Sequence, residues 1–156
     1  MVVNHRSFFI KSLYLSRQII IMSLDKDLNI ENYILSHIDE EPELLRQLNR
    51  DAHVNLLKPP VCCRDICRGR MLKMFCRMLQ PKYILEIGTY TAYATLCLAE
   101  GVAEDAEIHT IEVNDELEDF IMKHLYKSKL KDRIHLYIGD AMQIIPSIDE
   151  RSIWCL

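Results

Sequence analysis

Glycine is scarce in this chain, four in 156 residues. Only one of them, Gly88, breaks a β-like apolar run from a helix-like one, in the stretch YILEIGTYTAYATLCLAEG from Tyr83 to Gly101. A loop that cradles a pyrophosphate needs further glycines at the second and fifth positions after the first, because a side chain there blocks the close approach of the backbone. Tyr90 and Tyr93 stand at those positions, which argues against a dinucleotide loop and so against a nicotinamide-dependent oxidoreductase. Acids are missing from residues 1–21, which carry Arg6, Lys11 and Arg17 and a charge of +3, so the formal −4 of the whole chain leaves −7 on residues 22–156. An acidic body has no clustered basic face for phosphate backbones, and no nucleic acid partner is expected. Long apolar runs are missing too. The longest uncharged stretch near the start, QIIIMSL, is too short to cross a bilayer, and no small-residue cleavage site follows the basic start. Neither a membrane span nor export is expected.

Six cysteines are present, with three of them in VCCRDIC, but no second close pair and no matching histidine pair completes a tetrahedral site. They read as free residues packed like small apolar groups, which fits a reducing cytoplasm. No metal ligand is assigned, and His109 and His135, inside strands, read as packed or solvated rather than catalytic. With 49% hydrophobic residues the chain can bury one ordinary core. Residues 1–22 read as an N-terminal appendage, a surface-bound amphipathic helix being the alternative, and residues 23–156 as a single domain whose start is either Met1 or Met22.

Helical spacing of Ile30, Tyr33, Ile34, His37 and Ile38, and of Leu44, Leu45, Leu48, Ala52 and Leu56, predicts two helices. After Lys58–Pro60 a third is predicted with Ile66, Met71, Met74, Phe75 and Met78 on its core face. Next come a strand at YILEI, a helix from Ala92 to Glu100 closed by Gly101, a strand at EIHTI, a helix capped by Asn114, a strand at RIHLYI, and a short helix capped by Asp140. Strands alternating with helices in this order predict an α/β, doubly wound parallel sheet preceded by N-terminal helices. Ligands of such sheets lie at the carboxyl ends of the strands, where Gly88 falls.

A ligand without phosphate suits this loop. Its ammonium would meet the Glu86 carboxylate, and its carboxylate the backbone N–H groups of the turn and helix start. S-adenosylmethionine has such an amino-acid end. Glu112, ending the second strand, is placed to accept both hydroxyls of a ribose, and Asp140 and Ala141 would edge an adenine.

The stretch LEIGTYTAYATLCLAEG resembles the first motif of the class I S-adenosylmethionine-dependent O-methyltransferases of the catechol and caffeoyl-CoA type, a Glu-x-Gly followed by Thr-Gly-Tyr-Ser. The segments IHTIEVNDE and IHLYIGDAMQIIP match its next two strand ends, and the resemblance runs from about Ile30 to Ile148. It implies a Rossmann-like methyltransferase domain in which Glu86 holds the methionine ammonium, Gly88 and Thr89 form the turn, Tyr93 lines the pocket, Glu112 binds ribose and Asp140 and Ala141 the adenine. It implies methyl transfer to a hydroxyl of a small, catechol-like acceptor, and leaves a homodimer open. Ala92 stands where the family has glycine, and Ala94 where it has serine, a lost hydroxyl donor costing about 1 kcal/mol.

Enzymes of this type continue into further strands bearing the acids that hold a divalent metal, magnesium. Here IDERSIWCL reaches Leu156 first, with SIWCL as a stub of a fourth strand. The resemblance therefore implies a partial domain, without metal ligands or an assigned catalytic residue. The alternative is a remnant that binds S-adenosylmethionine or a partner subunit without turnover.

Overall fold

A computed structural model describes residues 28–56, 62–148 and 154–155. The proposed appendage, residues 1–22, lies outside the described residues. Three helices, α1 (Leu28–His37), α2 (Glu43–Asn55) and α3 (Cys62–Leu79), lead into β1 (Tyr83–Ile87). Then follow α4 (Tyr93–Gly101), β2 (Glu107–Glu112), α5 (Glu118–Leu125), β3 (Ile134–Ile138), α6 (Ala141–Ile144) and β4 (Trp154–Cys155). The strands form a parallel sheet in the order β3-β2-β1-β4. The expected doubly wound α/β architecture is therefore observed, and the expected fourth-strand stub pairs with β1 at Ile84↔Trp154 and Leu85↔Cys155.

Because strand side chains alternate between faces, the in-register rows Ile84↔Ile108↔Ile134 and Leu85↔His109↔His135 lie on opposite sides of the sheet. The Ile84 row is completely enclosed by α2 to α5, through Leu45, Leu48, Cys76, Leu96, Ile121 and Leu125. Each such fully buried aliphatic side chain contributes about 1.5–3 kcal/mol. The other face is thinly covered: Leu85, Ile111 and Ile148 gather there with Tyr137, Ala141, Ile144 and Ile145.

The third helix buries a different stripe from the one its sequence suggests. Met71, Met74, Phe75 and Met78 are exposed, while Cys76 is fully buried and Ile66 and Leu72 pack on the core. The reason is a close approach of α3 to α4 at two glycines. A β-carbon on Gly69 would lie 2.5 Å from Cys97 Sγ, and one on Gly101 would lie 2.6 Å from the Lys73 carbonyl oxygen. Only the stripe holding Gly69 lets the helices come this near, so steric fit overrides hydrophobicity. Gly101 is thus the last residue of α4 rather than a cap beyond it. Lys73 fastens the crossing with a 2.9 Å ion pair to Glu100.

Burial also accounts for Cys76 and Cys97. It pushes the Cys76 thiol up to about 11 and, as the main cause, the Cys97 thiol up to about 12, so both stay protonated and unreactive. Among the described residues no helix is long and apolar enough to cross a membrane.

Candidate functional site

The carboxyl ends of β1, β2 and β3 meet at the Gly88 turn, beside the β1–β4 position where the strand order reverses. Gly88 has φ +95° and donates its N–H to the Ile111 carbonyl at 2.8 Å. A β-carbon there would meet nothing within 4 Å, so backbone conformation rather than crowding selects glycine. Tyr90 and Ala92 also take positive φ, 52° and 64°. The left-handed Ala92, preceding the first helical residue, sits where the resemblance expects glycine.

Glu86 and Thr110 are register partners in β1 and β2 and point to the same face. Thr110 donates to Glu86 Oε2 at 2.7 Å, and Thr95, from the first turn of α4, donates to the same oxygen at 2.5 Å. Among the described residues no hydrogen bond engages Oε1. Burial is the main cause that pushes the Glu86 carboxyl up to about 7; the Thr110 and Thr95 hydroxyls oppose it, and the Glu112 charge adds to it. A buried carboxylate at this point is primed for a cation that would restore its charge.

Glu112, 6% exposed, holds the loop from the next strand. Its Oε2 accepts the Tyr90 N–H at 2.7 Å and its Oε1 the Asn114 N–H at 3.0 Å. Each oxygen keeps a further lone pair for a hydroxyl donor. Thr89 joins the same assembly, its hydroxyl 2.6 Å from that of Thr110. Gly139, φ +139°, donates to the Glu112 carbonyl at 2.8 Å and brings the end of β3 alongside. There Asp140 accepts the Met142 N–H at 2.9 Å as the cap of α6, with Ala141 partly buried behind it.

Thus Glu86, Gly88, Thr89 and Glu112 converge, with Asp140 and Ala141 at the neighbouring strand end. Tyr93 is held otherwise: it is buried in the core and its hydroxyl donates to Glu41 at 2.7 Å. Burial first, then that bond to Glu41, raises its pKa. The N–H groups of residues 88, 89, 90 and 92 already have protein acceptors. The donors left for a ligand carboxylate are those of Thr91 and of the first helical residues, Tyr93, Ala94 and Thr95, which an α-helix leaves without intrahelical partners. The sequence reading missed Thr95 and Thr110. Thr110 was detectable as the residue two before Glu112 on the same strand face, but linking it to Glu86 requires the register.

The magnesium that the resemblance expects needs a cluster of oxygen ligands. Among the described residues, the group found with three or more potential metal ligands is Glu107, His109 and His135, an imidazole-rich set at the starts of the strands. It does not fit magnesium at the donor end. Two cavities, of about 280 Å³ beside Tyr126 and about 380 Å³ beside His37, also lie away from these strand ends.

The chain is similar to known proteins. A catechol O-methyltransferase from Niastella koreensis is 24% identical over 123 residues, 78% of this chain and 54% of its own length. Caffeoyl-CoA O-methyltransferase 2 from Populus trichocarpa is 27% identical over 120 residues, 76% of this chain and 48% of its own. The crystal structure of an O-methyltransferase from Bacillus cereus in complex with SAH superposes with a TM-score of 0.69 at 22% identity, covering 81% of this chain and 60% of that one. The chain therefore spans about half the length of the curated relatives it matches. With the Glu-x-Gly turn, the buried strand-end acids and the parallel sheet all in place, and with the family's pattern matched over residues 35–154, the chain belongs to the O-methyltransferase family.

Proposed function

We propose that this chain binds S-adenosylmethionine at the carboxyl ends of β1, β2 and β3 and forms the donor half of an O-methyltransferase. The observation that carries the reading is the pair of buried acids on one sheet face: Glu86, primed for a cation, and Glu112, already arranged to accept hydrogen bonds. Glu86 would hold the methionine ammonium and the α4 start its carboxylate. Glu112 would hold the ribose hydroxyls, with Gly88 and Thr89 shaping the turn and Asp140 and Ala141 beside the adenine. The α4 start presents Ala94 rather than a hydroxyl, so the carboxylate rests on backbone donors alone. Rate in such a transfer comes from holding the sulfonium methyl in line with an acceptor oxygen. By likeness to the catechol and caffeoyl-CoA enzymes, we take that oxygen to be a hydroxyl of a small aromatic acceptor. The exposed stripe of Met71, Met74, Phe75 and Met78 supports a homodimer through α3, checked by sedimentation of the wild type against Phe75→Glu.

Calorimetry with S-adenosylmethionine and, separately, NAD on the same sample of the 156-residue chain tests the reading. S-adenosylmethionine should bind and NAD should not. Glu112→Ala should weaken binding by about 1–3 kcal/mol through lost charge-assisted hydrogen bonds. Binding of NAD alone would overturn the proposal, and equal affinity in wild type and mutant would place the ribose elsewhere.

A further inference from the structure

On the sheet face opposite Glu86 and Glu112, the starts of β2 and β3 bring together three side chains that the donor site does not use. Glu107 and His109 are two residues apart on β2, and His135 is the register partner of His109 on β3. Both imidazoles approach the same carboxylate oxygen, Glu107 Oε2, His109 Nε2 at 3.7 Å and His135 Nε2 at 3.8 Å. The two rings stack with centroids 4.9 Å apart. Their three candidate ligand atoms all lie within 4.8 Å of one another.

We propose that Glu107, His109 and His135 form a binding site for a late first-row divalent cation of the zinc type, with the remaining coordination position left to water. Separations of 3.7 and 3.8 Å are too long for hydrogen bonds. A tetrahedral ion with 2.0–2.1 Å bonds sets its ligands about 3.3 Å apart, so two of the three pairs need to close by only about half an ångström. His135 Nε2 is shielded from solvent and makes no hydrogen bond, an arrangement that costs free energy unless a partner arrives. His109 has the outer support that metal-bound imidazoles have, its Nδ1 lying 3.0 Å from the Tyr137 hydroxyl. With Nδ1 as the donor in that bond, Nε2 carries the lone pair toward Glu107. Two imidazoles and one carboxylate select zinc-like ions over magnesium or calcium. An ion here would fasten β2 to β3 on the thinly covered face, far from the methyl-donor end.

Cobalt(II) added to the chelator-treated full chain tests the site. Saturable visible absorption should appear without a thiolate-to-cobalt charge-transfer band, and zinc should displace it. His135→Gln and His109→Gln should each weaken cobalt binding at least tenfold, and Tyr137→Phe on the order of tenfold. Glu107→Gln, at a half-exposed position, should weaken it similarly with an unchanged circular dichroism spectrum, which separates ligand loss from misfolding. A thiolate band would assign the ion to the cysteines and overturn the proposal. So would the absence of saturable absorption, or equal affinity in wild type and Glu107→Gln.

Discussion

Thr110 and Glu86 face each other across adjacent parallel strands, and the threonine hydroxyl donates to Glu86 Oε2 at 2.7 Å. The bond gives one buried carboxylate a fixed direction at the point where the chain leaves the sheet. It also opposes the burial that raises the Glu86 pKa.

Glu86→Gln should separate charge from shape. With its carboxyl raised from 4.5 to about 7, folded wild type binds this proton more tightly than the unfolded chain does. The associated stability, on the order of 3 kcal/mol, is fully present below about pH 4.5 and is lost as pH rises through 7. Thermal melts at pH 5 and 8 should show the variant gaining on wild type at the higher pH. For ligand, the sign reverses: the ammonium needs the ionised form, so wild-type affinity should fall about tenfold for each pH unit below 7. The variant should bind weakly at every pH.

Thr110→Val keeps the shape and removes the hydroxyl. Because that hydroxyl lowers the Glu86 pKa, its loss should move the pH midpoint of ligand binding upward. It also strips Thr89 of its partner, and stability should drop by about 1–3 kcal/mol. An unmoved midpoint would mean that Glu86 does not control binding.

Two glycines should respond to alanine for different reasons. At Gly88 the added methyl has room, and the cost of about 1–2 kcal/mol comes from φ +95°. At Gly69 the methyl would lie 2.5 Å from Cys97 Sγ. Overpacking of about 1–3 kcal/mol there exceeds the roughly 1 kcal/mol of helix propensity regained. Denaturant melts should show Cys97→Ala rescuing Gly69→Ala in part, since the added methyl still lies 2.9 Å from the Tyr93 ring, and leaving Gly88→Ala unrescued.

Asp51 ties α2 to α5. It lies 3.1 Å from Nε2 of His124, which is fully buried, and 3.1 Å from the half-exposed Lys123 ammonium. Asp51→Ala should cost about 1–3 kcal/mol by orphaning the histidine, whereas Lys123→Ala should cost under about 1 kcal/mol. The bond to Lys123, and next that to His124, hold the Asp51 carboxyl below its ordinary value against opposing desolvation. Its contribution is therefore present above about pH 4 and is lost as acid titrates it through the lowered folded value. Melts of wild type and Asp51→Ala should converge at low pH.

Strand and helix periods, the lone Gly88 and the acids ending successive strands were enough to determine the α/β order and to locate the candidate donor site, because these signals are local: a side-chain repeat, a turn residue, a cap. Asn114 and Asp140 cap where their sequence positions predict. What depends on pairs distant in sequence was decided only by the tertiary structure. The face of α3 that is buried follows from backbone contact through Gly69 and Gly101, against the pull of its methionines. Glu86 acquires Thr95 and Thr110 through helix entry and strand register, and Tyr93 is drawn to Glu41, 52 residues away. The meeting of His109 with His135 has the same origin, since the pairing of β2 with β3, which are joined through α5, sets which residues of the two parallel strands stand side by side.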